Sequence, residues 1–196
     1  MRRLHDGRMQ AINLALFHAL HAQHALTDAL LWLAQHGASL GAALVAWVLL
    51  RFPRERVHGC AIVLAALLAS AMAHALAESL AFARPYMAGM GPPRIPHRRR
   101  AALPSAHATV MFTVALLLWR RPGLRWTALA ATMLALLTGW GRIHAGVHFP
   151  FDIAAGLLLA LVIATAVHVV MQRASGRRAI LHRRPAAALG DGTAAP

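Results

Sequence analysis

The chain has 196 residues, of which 59% are apolar and only 13% charged, and its formal net charge is +14. Soluble domains carry about 25% charged residues, so this balance speaks for a membrane protein and against a soluble one. Every basic residue is an arginine, and the arginines sit between long apolar runs instead of forming one face, which argues against nucleic-acid binding and for loop anchors and anion contacts.

Residues 1–25 form a basic N-terminal segment. Its second part, Met9 to Ala25, mixes apolar residues with His18, His21 and His24 and is expected to be a short interfacial helix. No signal-peptide core or small-residue cleavage site follows. Five long apolar segments come next, read against the roughly 20 residues needed to span a bilayer. They run from Leu26 to Leu50, Gly59 to Ala83, Ser105 to Trp119, Leu124 to Gly141 and Ile153 to Met171. Cys60, the one cysteine, cannot form an intramolecular disulfide. Strand alternation is absent, so the expected fold is all-α: a polytopic membrane helix bundle over residues 26–172, with about five transmembrane helices. Residues 173–196 turn basic and then rich in Ala, Gly and Pro, and are expected to be a disordered tail.

Two stretches break the apolar pattern. Arg84 to Pro104 is rich in proline, glycine and arginine and reads as an irregular linker. Arg142 to Asp152 is the other, with Pro150 tolerated in a first helical turn. Counting spans puts both on one side of the membrane. The opposite side collects eleven of the 20 arginines, which favours a cytoplasmic C-terminus and outward-facing loops.

Those loops gather the polar residues into three short runs: Ala83-Arg84-Pro85, Pro104-Ser105-Ala106-His107, and Gly141 through Asp152. Polar groups beside hydrocarbon are costly, so such a cluster is a functional candidate. Arg84 and Arg142 offer planar forks of N–H donors matched to phosphate oxygens. Ser105 adds a hydroxyl, and a helix starting there would aim free backbone N–H groups at the same anion. A histidine can attack phosphorus when neutral or donate a proton near neutral pH. Asp152 lies four residues after His148, where on a helix its carboxylate would orient the ring.

The three runs resemble, in order and spacing, the signature motifs of the type 2 phosphatidic acid phosphatase superfamily. The resemblance covers roughly residues 59–170, and the runs Pro104–Thr113 and Gly141–Gly156 are most similar to the bacterial undecaprenyl-diphosphatase branch. It implies that His148 is the nucleophile forming a phosphohistidine, that Asp152 orients it, and that His107 protonates the leaving oxygen and then activates water. It also implies that Arg84, Ser105, Arg142 and the Ala106 backbone N–H bind phosphate, and that no metal or other cofactor is needed.

Three positions depart from that pattern. The family's first motif opens with a lysine seven residues before the arginine, where this chain has Ala77; Arg94 or the run Arg98, Arg99, Arg100 is expected to supply the missing cation. A serine usually precedes the third-motif arginine, and here it is Gly141. The second-motif glycine is Ala106, which matters little if only its backbone is used.

His144, His148 and Asp152 fall four apart, the spacing of a zinc face on an unbroken helix. Pro150 interrupts that helix and Arg142 is an unfavourable neighbour for a cation, so no metal is expected. His74 and Glu78, also four apart, are either a buried pair supporting the site or structural hydrogen-bonding residues. His97 reads as a loop residue. The resulting expectation is hydrolysis of a polyprenyl diphosphate, with membrane lipids as partners, on the outer face of a bacterial inner membrane. Phosphatidic acid or phosphatidylglycerol phosphate are the alternative substrates, and a lipid-binding or flipping protein without catalysis is the alternative class.

Overall fold

The computed structural model describes residues 2–21, 26–98 and 100–182, with side chains for 7–21, 26–98 and 100–175. Arg99, His24 and the segment from 183 onward, on which some of the expectations above fall, lie outside the described residues. The described chain is helical with irregular connections and no strand: α1 (Arg2–His21), α2 (Thr27–Arg51), α3 (Arg56–Leu80), α4 (Ala106–Trp119), α5 (Arg125–His144) and α6 (Pro150–His182).

The five expected spans correspond to α2 through α6, with ends moved by a few residues except at the end of α6. Three stretches, Thr27–Arg51, Pro53–Ala88 and Pro150–Ser175, are long and apolar enough to cross a membrane. α4, a shorter apolar helix, touches α2, α3, α5 and α6. Its position explains its composition: Met111, Phe112, Val114, Leu117 and Leu118 are buried on all sides, a pattern that fits an inner helix and no lipid-facing one. Away from the two irregular loops, Val48, Ile62, Leu117, Leu118 and Ala128 join the helices in one apolar core.

Small residues let the backbones approach, as membrane helix packing requires. A Cβ on Gly141 would strike the Leu30 carbonyl oxygen of α2. That close approach of α5 to α2 gives a physical reason for glycine where a serine was the expectation.

The ends of the chain differ from expectation. α1 is a full 20-residue helix that packs on α5 and α6, longer than the short helix read from Met9 onward. Phe17 is buried there, its ring 5.3 Å from that of Phe149. At the other end α6 runs to His182, past the boundary expected at 172, since nothing from Gln172 to His182 breaks a helix as proline would.

Candidate active site

The two irregular loops meet at the end of the bundle where α4 and α6 begin and α5 ends. Three local devices build the meeting point. α5 closes with a Schellman motif: Val147 N–H donates to the Arg142 carbonyl (3.2 Å) and Gly146 N–H to that of Ile143 (2.9 Å), with Gly146 at φ +73°. This turn releases the chain two residues before His148. α6 then opens with a half capping box, in which Asp152 in its first turn accepts from Phe149 N–H at 2.8 Å. α4 opens on Ser105, the N-cap. The loops are joined because Ser105 N–H donates to the Asp152 main-chain carbonyl at 3.0 Å.

His148 lies between a carboxylate and a cation. Its Nδ1–H donates to Asp152 Oδ2 at 3.2 Å, while its Nε2 accepts from Arg84 Nη1 at 2.9 Å. Although His148 is not helical, the cap geometry of Asp152 achieves the pairing expected from the spacing of four. The arrangement fixes one tautomer and leaves the lone pair on Nε2. Burial, with the Arg142 and Arg84 charges beside it, holds the ring well below its ordinary pKa of 6.5, so it stays neutral.

Arg84 is more constrained than a surface ligand would be. Nε donates to the Arg100 carbonyl (2.7 Å), Nη2 to that of Ala101 (2.9 Å), and Nη1 to that of Val147 (2.9 Å) as well as to His148. Of the five N–H donors of a guanidinium, one at Nη2 is left for a ligand. Arg142 is the complement: it is buried, Nη1 donates to the Ala34 carbonyl at 3.0 Å, and its Nε has no hydrogen-bond partner among the described residues.

A cavity of about 580 Å³ opens onto this group, walled by Arg84, Ala106, His107, Arg142 and His148 together with loop residues that include His97. The backbone N–H groups of Ala106 and His107, first in α4, have no carbonyl one turn earlier to bind. Ser105 is absent from that wall. It is fully buried, and its Oγ accepts from Ala108 N–H at 3.5 Å, so the structure makes it the helix cap behind the cradle.

The residues expected to assist divide. Arg98 and Arg100 line the cavity. Arg100 also borders a 40 Å³ void together with Ala77, the position of the missing lysine, and Arg84. Arg94 does not reach the cavity: Nη1 donates to His144 Nε2 at 2.9 Å, and its backbone N–H to the Ala145 carbonyl. His74 lines the cavity, but it does not form with Glu78 the buried pair that was one reading of their spacing, because both are exposed and His74 Nδ1–H donates to the Ser70 carbonyl (2.8 Å). His97 was read as a loop residue, yet its ring stands 6.4 Å from that of His148. Burial and the Arg84, Arg142 and Arg100 charges push it down to a pKa of about 4. A histidine inside an arginine-rich linker gave no local signal of that placement. A second apolar groove of about 240 Å³, lined by α2 through α5, shares Ala38, Ala66, Leu67 and Val110 with the cavity wall.

Residues 58–175 match the profile of the PAP2 superfamily. The Escherichia coli protein YbjG is 33% identical over 91 residues, 45% of this chain and 44% of that one. The Bacillus subtilis undecaprenyl-diphosphatase BcrC is 33% identical over 81 residues, 41% of this chain and 40% of that one. The chain thus spans less than half the length of both relatives. The transmembrane PAP2-type phosphatidylglycerolphosphate phosphatase of Bacillus subtilis has the same fold at a TM-score of 0.64, with 20% identity over 85% of this chain and 87% of that one. Apolar spans and this likeness make the protein a multi-pass membrane protein. The matched residues hold all three motif runs and the helices that bring them together, and the chain belongs to the PAP2 superfamily.

Proposed function

We propose that this protein is a membrane lipid phosphatase that hydrolyses a polyprenyl diphosphate, undecaprenyl diphosphate first among them, to the monophosphate through a phosphohistidine. The observation that carries the reading is the His148 ring: neutral, anchored through Nδ1 on Asp152, and presenting Nε2 beside two buried arginines at a cavity wall. In the first step Nε2 gives up the hydrogen bond from Arg84 Nη1, which turns to a phosphate oxygen, and attacks the outer phosphorus as the bond to the leaving oxygen breaks, with His107 giving that oxygen a proton. In the second, water attacks the phosphohistidine and returns a proton to His107.

The cradle works by fixed charge. Arg142 Nε, the remaining Arg84 N–H and the first backbone N–H groups of α4 are donors already in place for oxygens that gain charge in the transition state. The apolar groove continuous with the cavity suits a hydrocarbon tail and supports a lipid over a soluble phosphate ester. BcrC, by its name an undecaprenyl-diphosphatase, supports the polyprenyl substrate. The arginine balance read from the sequence, eleven of 20 on the side opposite the two loops, supports an active site on the outer face of a bacterial inner membrane.

The test is phosphate release by purified protein in detergent with EDTA present, comparing undecaprenyl diphosphate with phosphatidic acid and wild type with His148→Ala. Faster release from the diphosphate, lost in His148→Ala, is the expected result. A normal phosphoenzyme level in His148→Ala overturns the mechanism, and a preference for phosphatidic acid overturns the substrate.

A further inference from the structure

The cavity is much larger than one phosphoryl group. Past the cradle its wall continues through Pro96, His97, Arg98 and Arg100, all from the linker between α3 and α4. We propose that His97, Arg98 and Arg100 form a subsite for the second, non-transferred phosphate of a diphosphate lipid, and so set a preference for diphosphates over phosphate monoesters. This inference rests on the lipid-phosphatase reading above and specifies its substrate class.

The linker is held in place before any ligand arrives. Arg94 N–H donates to the Ala145 carbonyl, Tyr86 Oη–H to that of Arg98 at 3.0 Å, and Ala102 N–H to that of Phe82. Arg84 grips the Arg100 and Ala101 carbonyls, and Ile95 is buried against Ala34, Ala145 and Val147. These bonds use the backbone carbonyls of Arg98 and Arg100, and both residues are exposed and line the cavity. Among the described residues the ion pairs are Arg121–Glu55 and His148–Asp152, so neither arginine is neutralised by a carboxylate. Glu78 borders the small void beside Arg100 without pairing to it. Three linker groups and the cradle arginines thus share one cavity, an arrangement that favours an anion of higher charge than a single phosphoryl group.

The chemistry places the demand on the leaving side. When Nε2 bonds to the outer phosphorus, the bond from that phosphorus to the bridging oxygen breaks and its electron pair stays on the lipid monophosphate. Charge therefore grows on the second phosphate as the bond breaks, ahead of the proton from His107, and fixed guanidinium groups there stabilise the transition state more than the ground state. A phosphate monoester has no such group on its leaving side, so these arginines have nothing equivalent to act on.

The experiment compares wild type, Arg98→Gln/Arg100→Gln and Arg98→Lys/Arg100→Lys in detergent, with undecaprenyl diphosphate and phosphatidic acid as substrates. With charge-assisted bonds lost, kcat/KM for the diphosphate is expected to fall about 100-fold in the Gln pair, with at least a ten-fold smaller loss on phosphatidic acid. The Lys pair, which keeps the charge, is expected to recover most of the loss. Inorganic pyrophosphate should inhibit wild type at least ten-fold more tightly than inorganic phosphate, and this wild-type measurement stands even if the Gln pair misfolds. Equal losses on both substrates, or equal inhibition by the two anions, overturn the subsite alone. Wild type inactive on the diphosphate overturns the parent reading and the subsite with it.

Discussion

Arg84 Nη1 lies 2.9 Å from His148 Nε2, the atom that would bond to phosphorus. The same guanidinium bonds the Arg100, Ala101 and Val147 carbonyls, so one side chain ties the linker to the nucleophile's loop. Lysine keeps the charge at this position and loses the fork. Arg84→Lys is therefore expected to lower kcat/KM by about 100-fold and to lower the melting temperature as well, through several lost buried hydrogen bonds. Kinetics and thermal unfolding on the same preparation check this. A variant with wild-type stability and only a raised KM would make Arg84 a simple phosphate ligand.

The depressed pKa of His148 gives a signed pH prediction. An ordinary histidine is half protonated at 6.5, whereas His148 resists the proton because of burial and the Arg142 and Arg84 charges. Its neutral, reactive form should persist as the pH falls through 6.5. Inactivation of substrate-free enzyme by diethylpyrocarbonate, in a His97→Gln background, should hold a constant rate between about pH 8 and 6.5 and slow only in more acid solution. A midpoint at or above 6.5 would contradict the buried arrangement. Linkage has the same sign for His97, whose pKa is lowered from 6.5 to about 4. Its contribution to stability is complete above 6.5 and is lost as the pH falls toward 4, because the unfolded chain takes up a proton that the folded one refuses.

The parts legible in the sequence were those written as local pattern. Apolar runs located α2 through α5 and the start of α6 to within a few residues, and the motif runs named Arg84, Ala106, His107, Arg142 and His148 of the cavity wall. Contacts set by tertiary structure carried no such pattern. His97 reaches the cavity because backbone bonds at Arg94 and Ala102 fold the linker over it, which no periodicity encodes. Arg94 and Arg98 look alike in the chain, yet one binds His144 and the other lines the cavity. Ser105 was read as a phosphate-binding hydroxyl, and the cap contact of its Oγ with Ala108 N–H came only from the fold. The Schellman turn was foreseeable in part, since Gly146 follows a basic helix end.

α1 lies outside the residues matched to the family, yet it supports the site. Asn13 Oδ1 accepts from Phe151 N–H at 3.1 Å, in the first turn of α6 that carries Asp152. Asn13→Ala should lower kcat several-fold with KM nearly constant, since the change acts on the orientation of the His148–Asp152 pair and leaves the phosphate cradle intact. Asn13→Asp, which keeps the acceptor, should recover most of the rate. Loss of KM alone would show that α1 acts on lipid binding.

Gly141 tests whether the departure from the family pattern is a loss or an accommodation. Restoring the serine should not raise activity, because the new Cβ would meet the Leu30 carbonyl where α5 and α2 approach. Gly141→Ser is expected to destabilise the protein by about 1–3 kcal/mol, the usual cost of overpacking, and to displace Arg142, whose Nη1 bonds the Ala34 carbonyl of α2. Thermal unfolding and kcat/KM report the two effects. A stable and faster variant would mean that the helices separate easily and that the missing hydroxyl limits the rate.

His107 separates substrates by their leaving groups. A phosphate has a second pKa of about 6 and departs as an anion with little help, whereas an alkoxide, the conjugate base of a group about as weakly acidic as water, needs a proton as it leaves. If His107 supplies that proton from the cavity wall, His107→Gln should slow phosphoenzyme formation far more for phosphatidic acid, about 1,000-fold, than for undecaprenyl diphosphate, at about 10-fold, within the range usual for general acid catalysis. Dephosphorylation should slow equally for both, because the same phosphohistidine is hydrolysed with the same missing base. Rapid-quench measurement of the two half-reactions separates the steps. Equal slowing of the first step for both lipids would remove His107 from the role of acid and leave it only the activation of water.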